Sequence, residues 1–234
     1  MRITFISDTH TKHRFCESDL PGGDLLIHAG DFMNSGYSKR EAIEFFDWFE
    51  NISKYDSKVF IAGNHDRLME NEIGEMQGIL SGYKTIDYLQ DEQMTLDSDL
   101  SEDNVRIYGS PWQPEFYNWA FNLPRNGPEL EWIWNKIPDN TDILITHGPA
   151  QGMLDTSGPP YNQPNLGCEL LAKRINAIKP KIHVCGHIHG GYGYRFENDT
   201  HFINASILNE RYEYVNKPIT ADWNKSTNEI NFID

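Results

Sequence analysis

Positive charge, sulfur and long apolar runs are all scarce in this sequence. Lys and Arg total 20 against 35 Asp and Glu, a formal charge of −15 over 234 residues. A surface this acidic does not draw a long polyanion toward it, which argues against a nucleic-acid-binding protein. Cysteine is limited to Cys16, Cys168 and Cys185. An odd, scattered set with no CxxC pair argues against a disulfide framework and suits a reducing compartment. No stretch approaches the ~18–20 apolar residues of a membrane span. The opening apolar segment, Ile3 to Ile6, is too short for the apolar region of a signal peptide. Repeats and low-complexity tracts are also missing. The expectation is a soluble, cytoplasmic protein with neither membrane nor long nucleic acid among its partners.

What is present suits a folded α/β protein. Apolar residues make up 38% and aromatics 12% of the chain, enough for a sizeable core and too many for disorder. The length and the lack of a linker predict one domain over 1–234. Short apolar runs alternate with helical patterns. Strands are expected at 2–7, 24–28, 58–62, 84–89, 104–108, 142–146, 181–185 and 200–204, with a further candidate at 211–215. Runs such as Leu25-Leu26-Ile27 and Val59-Phe60-Ile61 suit strands covered on both faces. A helix is expected after Ser38, because Ser38-Lys39-Arg40-Glu41 has capping-box spacing. Ala42, Phe45, Phe46, Phe49 and Ile52 then fall on one helical face. Further helices are expected at 128–136, with Pro128 in the first turn, and from Cys168 to Ile178, stopped by Pro180. The Gly-, Pro- and Asn-rich stretch 148–167 reads as a long loop of the functional kind.

Five polar clusters each follow an apolar run: Asp8-Thr9-His10, Gly30-Asp31, Gly63-Asn64-His65-Asp66, Thr146-His147-Gly148 and Gly186-His187-Ile188-His189. Functional groups in open α/β sheets gather outside the carboxyl ends of strands, so five strand ends can deliver these clusters to one place. Carboxylate, amide and imidazole donors without a thiolate suit Mn, Fe, Zn, Co or Ni. Seven side chains provide eight bonds if Asp31 is shared. One divalent ion takes Asp8, His10, Asp31 and His189; the other takes Asp31, Asn64, His147 and His187. Two such ions hold and deprotonate a water and clamp the attacked phosphoryl group.

The order DxH, GD, GNHD, H, GHxH resembles the calcineurin-like metallophosphoesterase superfamily. Within it, the match is longest to the small metallophosphoesterase domain-containing proteins. It runs through Ser7-Asp8-Thr9-His10, Ile61-Ala62-Gly63-Asn64-His65, Gly109-Ser110-Pro111-Trp112, Phe121-Asn122-Leu123-Pro124-Arg125, Gly190-Gly191-Tyr192-Gly193 and Ile203-Asn204-Ala205-Ser206. The resemblance implies a four-layer αββα sandwich of two mixed sheets flanked by helices, and the same metal ligands. It implies that His65 is not a ligand but acts on the substrate phosphate or leaving group, with Asp66 as its orienting neighbour or a supporting group. In the protein phosphatase branch the GD motif continues into a second Asp and an Arg. Asn34 and Ser35 stand there instead, which weakens a protein phosphatase reading.

The expected activity is hydrolysis of small phosphodiesters, cyclic nucleotides among them, by a metal-bridging hydroxide, with His65 stabilising or protonating the leaving group. The alternatives are a phosphomonoesterase such as a nucleotidase, and a non-catalytic nucleotide-binding protein on the same fold. A metallonuclease is disfavoured by the chain's length and charge. The remaining histidines read as structural: His13 on a surface loop, His28, His183 and His201 in strands. Cys185 reads as a small core residue. The rings of Trp112, Phe116, Tyr117, Trp119 and Phe121 are expected to pack the segment onto the fold, with one of them lining the site. Arg125 is expected to be solvated or salt-bridged rather than bound to phosphate.

Overall fold

The computed structural model describes residues 1–96 and 104–233. In strand β1 (Arg2–Ile6), Ile3 and Phe5 point to one face and Thr4 and Ile6 to the other, and all four are buried. Both faces are therefore covered, as the continuous apolar run predicts. The first sheet follows the order β14 (Glu229–Ile233), β13 (Ile219–Asn224), β1, β2 (Gly23–His28), β3 (Tyr55–Phe60), β4 (Ile86–Tyr88). Strands β1 to β4 run parallel, and the C-terminal hairpin β13–β14 adds antiparallel to β1. The second sheet follows β11 (Gly193–Glu197), β12 (Thr200–Asn204), β10 (Ile182–Cys185), β9 (Ile143–Thr146), β6 (Val105–Ser110), β5 (Glu92–Leu96). Its four inner strands are parallel and its two edges antiparallel, and a short parallel pair, β7 (Gln113–Pro114) and β8 (Asn122–Leu123), lies outside both sheets.

The two sheets pack face to face. Ile3, Phe5, Leu25, Ile27 and Val59 of the first meet Ile107, Ile143, Ile145, Val184 and Ile203 of the second in one buried cluster. Helices α1 (Lys39–Asn51) and α3 (Ile73–Leu80) cover the outer face of the first sheet, where Phe45, Phe46 and Phe49 pack on Leu26 and Phe60. Helices α4 (Pro128–Asn135) and α5 (Glu169–Ile178) cover the second sheet through Leu130, Trp134, Leu171 and Ile175. The result is the four-layer αββα sandwich that the resemblance implies. Among the described residues, no helix is long and apolar enough to cross a membrane.

Ser38 caps α1, its hydroxyl accepting from the Glu41 N–H at 3.4 Å. The reciprocal half of the box does not form, because the Glu41 carboxylate takes the Asn34 N–H at 3.0 Å instead and ties down the loop after β2. Two expectations need correction. Residues 211–215 form no strand: a tight turn at Asn209–Tyr212 leaves only the bridge between Leu208 and Tyr214. His13 is not on the surface but buried in a short 3-10 helix (His13–Asp19), against the rings of Phe45 and Trp48. Burial pushes its imidazole down to about 4, so it sits there neutral.

Candidate metal centre

All five clusters meet where the parallel strands of both sheets end. β1, β2 and β3 deliver Asp8, Asp31 and Asn64; β9 and β10 deliver His147, His187 and His189. The loops are tight. Asp8, His10, Asp31 and His187 all have left-handed backbones, with φ of 54°, 39°, 59° and 66°. Non-glycine residues rarely adopt this conformation, and its concentration here marks a functional site. Two glycines allow the close approach. A Cβ on Gly63 would lie 2.3 Å from Asp31 Oδ1, and one on Gly186 would lie 2.0 Å from Asp8 Oδ2.

Asp31 is at the centre. Its Oδ2 lies 3.7 Å from His10 Nε2 and 3.3 Å from His147 Nε2. The Asn64 Oδ1 is 3.0 Å from His147 Nε2. Asp8 Oδ1 lies 3.4 Å from His189 Nε2. Among the described residues, three groups have donor atoms mutually within 4.8 Å: Asp8, His10 and His189; Asp31, His147 and His187; and His10, Asp31 and His65. Asp31 belongs to two of them. Geometry alone therefore places His65 as close to the centre as the expected ligands.

Three of the imidazoles share one arrangement. His10 Nδ1 bonds the Met33 carbonyl at 3.1 Å, His147 Nδ1 the Ala29 carbonyl at 2.9 Å, and His189 Nδ1 the Asn209 carbonyl at 2.9 Å. A carbonyl only accepts, so each Nδ1 carries the proton when the ring is neutral and each Nε2 keeps its lone pair. His10 Nε2 is buried and has no hydrogen-bond partner. An orphaned buried nitrogen beside a carboxylate, with neighbouring Nε2 atoms converging on the same space, fits a divalent cation.

The charges agree. Burial opposes ionisation of Asp8, but the His189 hydrogen bond and charge outweigh it and hold the carboxyl well below the usual range. Asp31 is likewise held low against burial by the charge of His147. Burial pushes His10 to about 4 and His187 to about 3. For His147 and His189 burial is overcome by Asp31 and Asp8 respectively, and both rise to about 9. Two buried carboxylates thus require positive charge, from protons or from metal ions.

His65 donates its backbone N–H to Asp31 Oδ1 at 2.7 Å, and its ring Nδ1 bonds the Asn34 carbonyl. The residue that replaces the phosphatase carboxylate therefore holds His65 through its main chain. Trp119 stacks on the His65 ring with centroids 4.0 Å apart, and Arg67 lies 4.7 Å above the Trp119 ring. Asp66 does not orient the His65 imidazole. Its fully buried carboxylate accepts N–H groups from Asp31, Met33 and Gly63 at 2.7–2.8 Å, pinning the GD loop to the GNHD loop.

Three contributors escape sequence reasoning or appear there only as part of a motif. Ser206 donates to Asp8. Asn204 caps the Ile188 carbonyl at 2.9 Å, steadying the loop that carries His187 and His189. Tyr212, itself left-handed at φ 59°, roofs the site with its ring 4.8 Å from His10 and 5.5 Å from His189. His28 accepts from the Gly30 N–H and bonds Thr9 Oγ1, a structural role beneath the loops. Arg125 pairs with Glu169 at 2.7 Å. Trp112 faces away, its indole N–H bonded to Asp91 and its ring packed on Phe121.

Comparison with known proteins accords with this geometry. The family profile described as calcineurin-like phosphoesterase matches residues 1–191. The human metallophosphoesterase domain-containing protein 1 is 40% identical over 242 residues, covering 94% of this chain and 70% of that protein. A UPF0046 protein of Caenorhabditis elegans is 37% identical over 243 residues, covering 95% of this chain and 60% of its own length. A crystal structure from Thermus thermophilus superposes with a TM-score of 0.64, covering 100% of this chain and 98% of that one at 12% identity, a likeness of fold.

Proposed function

This chain belongs to the calcineurin-like phosphoesterase family, and from that premise we propose that it hydrolyses small phosphodiesters, with cyclic nucleotides as candidate substrates. Asp8, His10, Asp31 and His189 hold one divalent ion, and Asp31, Asn64, His147 and His187 hold the second. The donor set favours Mn, Fe, Zn, Co or Ni. The observation that carries the reading is the position of Asp31, whose Oδ2 faces His10 on one side and His147 on the other.

Bound at this place, two ions supply an activated water and neutralise charge on the phosphoryl oxygens. The remaining work falls to the chain. Carbonyl-held imidazoles present Nε2 without reorganisation. Asp66 fixes the backbone on which Asp31 and Asn64 stand. With Nδ1 donating to the Asn34 carbonyl, His65 has Nε2 left for the substrate; in the imidazolium form Nε2 also carries a proton, which stabilises or completes the leaving oxygen. The stacked Trp119 keeps that ring from turning.

The chain is taken to act as one domain, since the C-terminal hairpin closes the first sheet after the second is complete. Its three cysteines are free and buried, which favours a reducing, cytoplasmic setting. The test is a panel of mono- and diesters assayed with each metal after stripping. Small diesters should show the higher kcat/KM, and duplex DNA little cleavage. Faster turnover of monoesters across the panel would overturn the diester assignment.

A further inference from the structure

A cleft of about 500 Å³ opens directly beside His187. Its size lies within the range of small-molecule sites. Three aromatic side chains line it while remaining open to solvent: Phe116, Tyr117 and Tyr161, at 46%, 76% and 69% exposure. Phe116 meets the His187 ring edge-on with centroids 5.5 Å apart, and Tyr117 meets Phe116 at 4.6 Å. The aromatic wall therefore begins at the metal centre. Large rings exposed together in a concave surface mark a place where something binds.

The cleft's polar groups narrow the choice. Gln113 lines it and is 1% exposed. Its amide nitrogen donates to Asn122 Oδ1 at 3.3 Å, while its Oε1 has no partner. A buried acceptor left without a donor is costly, and a ligand N–H or O–H relieves it. The cation of the cleft, Arg125, is already engaged by Glu169 and by the carbonyls of Leu166 and Gly167. Both acids, Glu115 and Glu210, add negative charge. Among the described residues no lysine lines the cleft, so no cationic side chain there is free to neutralise a second phosphate.

We propose that this cleft binds the organic group of the phosphoester, and that the group is a single nucleoside. Its base lies against Phe116 and Tyr161, a donor on it reaches Gln113, and it carries no phosphate beyond the one attacked. This inference rests on the phosphodiesterase reading above. Phe116 is then a ring of the 112–121 segment that lines the site.

The test compares thymidine 5′-(p-nitrophenyl) phosphate with methyl p-nitrophenyl phosphate, which share a leaving group, and with the thymidine ester bearing an added 3′-phosphate. All are assayed on the metal-loaded protein. The nucleoside ester should exceed the methyl ester about tenfold in kcat/KM, the usual worth of one stacked base, and the 3′-phosphorylated ester should be slower. Phe116→Ala and Gln113→Leu should each shrink the preference for the nucleoside, mainly through KM. Equal kcat/KM for the two simple esters, a preference untouched by both variants, or faster turnover of the 3′-phosphorylated ester overturns the inference and leaves the diesterase reading standing. If no ester is hydrolysed, that reading fails, and calorimetry with thymidine 5′-monophosphate decides the cleft. Weaker binding by Gln113→Leu and Phe116→Ala sustains it; no binding, or equal binding, overturns it.

Discussion

Ser206 donates a 2.7 Å hydrogen bond to Asp8 Oδ2, although 198 residues separate the two. The bond crosses from the end of the second sheet to the end of the first, where Ser7 and Ser206 also form a bridge. It is one of the contacts that aim the Asp8 carboxylate, together with the His187 N–H at 3.0 Å from each oxygen. Groups that orient a metal-binding side chain typically carry about 10–100-fold in affinity. Ser206→Ala is expected to weaken metal binding by roughly that factor, with the fold intact, as read by competition against a chelator. An unchanged affinity would show that the His187 N–H is sufficient.

Asp31→Asn tests the shared position. A neutral amide bridges two cations poorly, so the variant should hold fewer than two ions per chain after reconstitution and lose turnover. Elemental analysis decides. Two ions retained in the variant would remove Asp31 from the bridge.

His65→Gln separates proton donation from metal binding. The variant should keep both ions and lose about 10²–10⁴-fold in rate, the usual worth of a positioned acid. The loss should shrink for esters with good leaving groups. Because His65 lies as near the centre as the other imidazoles, loss of an ion in this variant would make it a ligand.

Metal uptake should release protons. In the ion-free protein His147 and His189 titrate at about 9, whereas His10 and His187 are already neutral at pH 7. A cation needs the neutral ring. Apparent affinity should therefore keep rising with pH through about 9, beyond the ordinary histidine value near ~6.5. Calorimetry in buffers of different ionisation enthalpy at pH 7.5 should count up to two protons released; none would contradict the ion pairs. The sign for stability is opposite. A raised imidazole stabilises the ion-free fold fully below the unfolded value near ~6.5, and that contribution fades as pH rises through the folded value. Ion-free protein should lose stability from these two groups over the window in which loaded protein gains it, as thermal unfolding will show.

Much of this was legible before the structure. The central strands announce themselves because burial on both faces demands consecutive apolar residues, as at Leu25-Leu26-Ile27, and the polar clusters follow directly. Of the edge strands, β4 falls within the expected 84–89, but β5, β11 and β14 were not legible. Gly193–Glu197 and Glu229–Ile233 are half-exposed, so nothing compels an apolar run. Helices α2 (Arg67–Asn71) and α3 are too short for a clear period. His13 reads as a surface residue from its polar neighbours, which say nothing about the helix that folds over it. Adjacency in sequence makes Asp66 read as an orienting neighbour of His65 or a supporting group, and its side chain proves to support, pointing into backbone N–H groups from two loops. The Asn34 substitution looked like the loss of a partner, and the main chain of the same residue supplies one.

That last detail extends to three of the other histidines of the centre, His10, His147 and His189. Met33, Ala29, Asn209 and Asn34 steer the imidazoles with carbonyl oxygens, and every amino acid has one. Replacing any of these side chains changes packing but cannot delete the acceptor. The orientation of the histidines is thereby insulated from point mutation at the very positions that set it. Drift at those positions can reshape the surroundings of the centre, and with them substrate preference, while the arrangement of Nε2 atoms stays in place. Only changes that reroute the chain, such as an insertion in one of the strand-end loops, would disturb it.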